Sequence, residues 1–243
     1  QVFFSFILKS LNELLEKAGE KTVQTRRAIY LESKIEEIVK RRFPETKIAK
    51  NVKWDHDGKE YETDVIAFID SYAIIFEAKS GKFTDESLRG APKRIKKHLE
   101  EILIDPSVQS RRLQEKIYKL SLEGEVDEKL QSQLPVDLKS IKRVLRASIS
   151  LEDFATVQTN LAEIEGTGWL PKDFTPCPTM NLADFETIFD ILEHPLLIVH
   201  YIEKRTVIEG QLRYLGDELD LLGHYLDTSL ELSGIAEAGH LLN

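Results

Sequence analysis

Apolar side chains recur along this chain in two rhythms, one of three to four residues and one of two, with clear breaks between them. From Ile7 to Lys17 the positions Ile7, Leu11, Leu14 and Leu15 keep helical spacing, and Gly19 ends the run. A second helical stretch spans Thr25 to Phe43 and stops before Pro44, with Leu31, Ile35, Ile38, Val39 and Phe43 on one continuous arc. Glu32 falls inside that arc, whereas Glu37 points away and Glu36 lies at the edge. An acid on a buried stripe either snorkels at its margin or meets a partner.

The rhythm then shortens. Thr46 to Trp54 reads as a strand, and Asp57-Gly58 is a hairpin signal that returns the chain into a strand beginning near Tyr61. From Tyr61 to Lys79 (YETDVIAFIDSYAIIFEAK) two short runs rich in Val, Ile, Phe and Tyr flank Asp70-Ser71, which predicts an antiparallel pair. Helical spacing resumes over Ala91 to Ile104, is expected to break or kink at Pro106, and continues from Val108 to Leu122 through Leu113, Ile117 and Leu120. After a loop at Gly124 to Pro135, the run Ile141 to Leu151 reads as a strand with polar alternation, parallel to a hairpin strand through a right-handed crossover. Glu165 to Thr179, rich in Gly, Pro and Thr, predicts an irregular loop. Asn181 caps a helix through Leu192 with Asp184 in its first turn. Leu196 to Tyr201 (LLIVHY) reads as a buried strand, and Glu218 to Leu230 as a last amphipathic helix.

Length and composition narrow the class. The 243 residues, 42% apolar and 31% charged, suit one sizeable domain or a domain with an appendage. No apolar run approaches the roughly 18–20 residues of a membrane span, so no membrane partner is expected. The opening QVFFSFIL lacks the charged start and cleavage signature of a secretory signal. It also lacks an initiator Met, so the chain is expected to have been cut from a longer protein, with its first helix (Phe3 to Lys17) once packed against the missing sequence, the alternative being simple processing. Cys177, the single cysteine, rules out an internal disulfide framework and favours a reducing cytoplasm. A net charge of −9 argues against a broadly basic nucleic-acid coat but leaves room for local patches. Two stand out: Lys40, Arg41, Arg42, Lys47, Lys50 and Lys53, and then Arg89, Lys93, Arg94, Lys96 and Lys97. A solvated surface is the commoner reading of such runs. The six histidines show no metal-ligand spacing.

Candidate chemistry gathers in the hairpin. Alternation places Asp64 on the face of Ile66 and Phe68, and Glu77 and Lys79 on the face of Ala73 and Ile75. Unpaired charge within a sheet costs several kcal/mol. Either Lys79 forms a structural salt bridge with Asp64 or Glu77, or the two acids hold a divalent cation with Lys79 beside it. Gln109 and Arg112 follow on one helix face at i, i+3.

This order, a helix with an inward Glu32, two strands, Asp64, then Glu77-Ala78-Lys79 and a helix bearing Gln109-Ser110-Arg111-Arg112, resembles the PD-(D/E)xK nuclease superfamily, most closely its Mrr-like and NERD-like branches. The usual Pro before the first acid is absent; Thr63 stands there. The resemblance covers roughly Ala28 to Leu151 and implies an α/β fold with a restriction-endonuclease-like αβββαβ core: a mixed central sheet flanked by helices. It divides the chain into an N-terminal helix (1–22), a nuclease core (23–151) and a C-terminal α/β extension packed on the same domain (152–243).

By the same resemblance the activity is Mg²⁺- or Mn²⁺-dependent hydrolysis of DNA, with Glu32, Asp64, Glu77, Lys79 and Gln109 catalytic. Asp64, Glu77 and the Ala78 carbonyl are the metal ligands, with Glu32 as an additional one. Arg112 is the DNA contact the resemblance implies, and Lys93, Arg94 and Lys97 of the second basic run are the further contacts expected from charge. The implied setting is bacterial restriction, anti-phage defence or repair, with other domains or subunits as partners and a homodimer for double-strand cutting. The competing reading is a catalytically silent nuclease-like module that binds DNA or protein.

Overall fold

Strands β1 (Lys47–His56), β2 (Lys59–Ile69) and β3 (Tyr72–Lys79) form an antiparallel meander. β4 (Arg143–Ser150) and the short β5 (Thr179–Asn181) extend it in parallel, giving a mixed five-stranded sheet in the order β1-β2-β3-β4-β5. The structure is a computed structural model that describes residues 2–18, 22–81, 92–123, 127–154, 158–159, 161, 164, 166–209 and 216–231. At the first hairpin Asp57 (φ 49°) and Gly58 (φ 74°) are both left-handed, as a tight turn matched to strand twist requires.

Helices cover both faces. α1 (Val2–Lys17) and α2 (Thr22–Arg42) precede the sheet; α3 (Pro92–Leu99), a π-helical turn (Glu100–Ile104) and α4 (Asp105–Glu123) follow β3. After the short α5 (Glu128–Gln131), β4 and β5 come α6 (Leu182–Ile191), α7 (Pro195–Ile208) and α8 (Glu218–Thr228). The arc of α2 is buried as its periodicity requires: Leu31, Ile35, Ile38 and Val39 pack with Val65, Ile74 and Phe76, and with Phe185, Ile198 and Leu221 from α6, α7 and α8. On the opposite face Leu113, Ile117 and Leu120 of α4 cover Ile66, Phe68, Ala73, Ile75 and Val144. Asn181 caps α6 reciprocally: its carbonyl accepts the Asp184 N–H at 2.9 Å and its amide donates to the Asp184 carboxylate at 2.7 Å.

Three expectations change. Leu196 to Tyr201 is not a strand but the first half of α7, in which Ile198, Tyr201, Ile202, Arg205 and Ile208 are buried while Leu196 is 63% exposed. A short apolar run fits either element; Pro195 in the first turn and the His194 cap on the Leu196 N–H settle it as a helix. Beyond the exposed Arg143, the polar residues of β4 do not face solvent: Arg146 and Ser148 are buried beneath the π-turn and the start of α4, and Ser150 is buried at the strand's end. Arg146 donates to the Ser107 carbonyl at 2.9 Å, and Ser148 to the Ile102 carbonyl at 3.1 Å. Pro106 does not break the helix, because helical backbone runs from the π-turn into α4, and the Ile102 carbonyl four residues earlier, which Pro106 has no N–H to serve, accepts from Ser148 instead. The irregularity sits before it, in the π-turn.

A buried ion network joins α7 to α8. Arg205 donates to both oxygens of Glu218 (3.0 and 3.1 Å) and to Glu209 (2.6 Å), and the Tyr201 hydroxyl donates to Glu218 at 2.5 Å. Because most Arg205 donors go to Glu218, burial dominates at Glu209 and lifts it from the ordinary 4.5 to about 7. Between those values the folded protein holds a proton the unfolded chain has released, so stability declines as pH rises from about 4.5 to about 7. Glu209→Gln is expected to flatten that slope by up to about 1.4 kcal/mol per pH unit, measured by urea unfolding at several pH values.

Candidate metal centre at the ends of β2 and β3

The β2–β3 ladder begins at the Val65–Phe76 pair, and one step outward stand Asp64 and Glu77. Asp64 turns its carboxylate across the gap and accepts the Ala78 N–H at 2.6 Å. On its other side β1 becomes left-handed at Asn51 (φ 51°), between the Lys50–Val65 and Val52–Thr63 pairs. Asn tolerates that conformation better than most residues. The kink also changes phase: Ala49 before it and Val52 and Trp54 after it all face the core under α4. Strict alternation along the hairpin therefore stops at Asp64.

Glu77 is 0% exposed. Its Oε2 accepts from Lys79 Nζ at 3.3 Å and from Gln109 Nε2 at 3.1 Å, and Lys79 Nζ stands 4.0 Å from Asp64 Oδ2. The Gln109 amide also donates to the Glu62 carbonyl at 2.5 Å. Glu77 Oε1 is buried with no hydrogen-bond partner among the described residues, and such atoms carry a desolvation cost.

Burial, with Asp64 adding to it and Lys79 opposing it, pushes Glu77 up to about 8. Asp64 is raised by burial against the pull of Lys79 and the Ala78 N–H. On α2 Glu32 is half-buried and raised by burial and by the Asp64 charge, with Lys50 opposing. The cluster sets three carboxyl groups around one lysine, and each is raised, first by burial and then because ionising it beside another acid is costly.

Two hard carboxylate donors and an unpartnered oxygen match what a small divalent cation accepts, since such ions take one or two carboxylates and complete their shell with water and substrate oxygen. Among the described residues no group of three or more His, Cys, Asp or Glu is placed to enclose a metal ion. Burial apart, Glu32 lies close enough to Asp64 for that charge to raise its carboxyl.

Arg112 donates to the Tyr61 hydroxyl at 3.0 Å and lies 5.4 Å from that ring, which stacks on Trp54. It is held against the protein on the same side as Gln109. Lys93, Arg94 and Lys97 are exposed on α3, with Lys97 3.6 Å from Glu101. The basic run around β1 is largely neutralised: Lys40 and Lys50 each meet Glu36 at 2.7 Å, and Arg41 meets Asp190 at 2.8 Å. Arg89 lies outside the described residues.

The spacing misses Arg27, which reaches from α2 to the Ser80 carbonyl (3.1 Å) and to Glu152 (2.6 Å), tying together the exits of β3 and β4. The Leu151 N–H donates to the Lys79 carbonyl at 3.0 Å, so the backbone carrying Lys79 is anchored from two strands. It misses Asp105 as well, a carboxyl raised by burial and by Glu100 and drawn back down by Lys79. The π-turn before Asp105 shifts the helical phase, so periodicity could not have found it.

No family model, curated protein or solved structure matches this chain. Fold and site together define an α/β protein with a five-stranded mixed sheet and, at the ends of two of its strands, one buried and one part-buried carboxyl group served by one lysine and one glutamine.

Proposed function

We propose that this chain is a metal-dependent deoxyribonuclease with a restriction-endonuclease-like core, hydrolysing phosphodiester bonds in bacterial restriction, anti-phage defence or repair. One observation carries the reading: Asp64, Glu77, Lys79 and Gln109, spread over 46 positions of sequence, converge on a single buried carboxylate that keeps one oxygen unpartnered. The run of α2, the β1–β2–β3 meander, the α3–α4 helices and parallel β4 supports it, being the αβββαβ order.

Asp64 and Glu77, with the Ala78 carbonyl, would hold Mg²⁺ or Mn²⁺. Bound there, the ion supplies Lewis-acid charge that lowers the pKa of water and offsets phosphate charge. Lys79, fixed by Glu77 and by its anchored backbone, orients the attacking water and stabilises charge gathering on the phosphate oxygens. Gln109 holds Glu77 by Oε2 and so keeps Oε1 directed away from its own amide.

The test is incubation of supercoiled and linear DNA with the purified chain in Mg²⁺, Mn²⁺ or EDTA, beside calorimetric titration of Mn²⁺ alone. Cutting in either metal and none in EDTA is expected. Neither cutting nor metal binding would overturn the reading in favour of a silent nuclease-like module.

A further inference from the structure

A cleft of about 260 Å³ opens where β3 ends, floored by Ser80 and Gly81, the two residues after Lys79. Asn12 and Gln24, from α1 and α2, line it with amide side chains; Arg27, Arg94, Lys97 and His98 line it with cationic or titratable nitrogen. Glu16 and Glu101 are its acids, and Glu101 pairs with Lys97 at 3.6 Å and His98 at 3.7 Å. In a chain of net charge −9 the cleft brings three permanent cations, Arg27, Arg94 and Lys97, beside two lining acids next to a candidate phosphodiester site, with Arg27 held by Glu152 (2.6 Å) at its edge.

The two donor types suit a nucleotide. Guanidinium and ammonium groups recognise phosphate, and neutral amides offer the paired donors and acceptors that read base edges. Size selects further, because about 260 Å³ lies at or below the roughly 300 Å³ lower bound of small-ligand pockets and holds one nucleotide-sized group, not a stacked duplex. Gly81 lies two residues beyond Lys79, at most about 7 Å along the chain, so the occupant would adjoin whatever phosphate sits at Glu77 and Lys79.

We infer that this cleft takes one unstacked nucleotide of the strand being cut, which makes single-stranded or frayed ends, rather than paired duplex, the preferred substrate. The inference rests on the nuclease reading for its choice of nucleic acid, yet it concerns binding and can be read without cleavage.

The experiment is fluorescence polarisation in EDTA, so that nothing is cut, with a labelled single-stranded oligodeoxynucleotide and a blunt duplex of the same length. The single strand is expected to bind at least about tenfold tighter. The doubly charge-reversed variant Arg94→Glu/Lys97→Glu, altered only at exposed positions and checked for an unchanged melting temperature, is expected to lose about tenfold or more in single-strand affinity. It should also show a shallower salt dependence, because fewer phosphate contacts release fewer counterions. Equal affinity for both DNAs, or a variant that binds like the parent, would overturn the inference. So would displacement of the oligonucleotide by an equal concentration of deoxynucleoside monophosphate, which would make the cleft a site for free nucleotide. Single-strand preference without cutting in Mg²⁺ or Mn²⁺ would keep the cleft and remove the nuclease.

Discussion

Asp64→Ala and Lys79→Ala are each expected to lower metal-dependent DNA cleavage by about 10²–10³-fold or more, the range seen when one preorganised charged group is removed from a transition state. Both side chains are partly exposed at strand ends, 21% and 24%, so neither change opens a cavity in the core. The routes to inactivity differ. Asp64→Ala removes one of the two proposed carboxylate ligands and the acceptor of the Ala78 N–H, so Mn²⁺ affinity is expected to fall with activity. Lys79→Ala leaves both carboxylates, and with their nearest cation gone they bind Mn²⁺ at least as well as the parent. Single-turnover cleavage with saturating metal, together with Mn²⁺ titration and far-UV circular dichroism, separates the two. Parental cutting by either folded variant would remove that residue from the mechanism.

Arg205→Met is expected to destabilise the fold by about 3–5 kcal/mol, the usual result of removing one partner from a buried ion pair. For a chain of this size that is a melting-temperature loss on the order of 10 °C. Arg205 is 1% exposed and is the cation shared by Glu209 and Glu218, so its removal leaves two buried carboxyl groups with Tyr201 as their remaining side-chain donor among the described residues. Those acids must then protonate or drag water into the α7–α8 contact. A melting temperature within about 1 °C of the parent would show that the network contributes little. Cleavage per folded molecule should change far less than melting, since none of these groups contacts Asp64, Glu77 or Lys79 in the described structure.

Why the network was invisible beforehand is instructive. Glu209, Arg205 and Glu218 read in sequence as ordinary surface charges, and only the packing of α7 against α8 buries them together. The same limit applied to LLIVHY, a six-residue apolar run that carries no period of its own until Pro195 and the downstream Ile202, Arg205 and Ile208 are seen to continue it as a helix.

By itself the sequence determined whatever depends on neighbours along the chain. Helix α2 and its buried arc, the Asp57-Gly58 turn, the two hairpin strands and the Asn181 cap are local consequences of spacing, backbone freedom and side-chain hydrogen bonding. Asp64, Glu77 and Lys79 could be nominated because charge within an apolar strand is costly enough to demand a reason, and Gln109 through the resemblance of the helix that carries it. Tertiary structure alone decided what those charges meet. The left-handed turn at Asn51 set the phase of the hairpin beside Asp64, α4 carried Gln109 onto Glu77, and Arg27 closed the exits of β3 and β4. Burial then raised the carboxyl pKa values, because desolvation depends on atoms from every covering element, and no single stretch of sequence contains that sum.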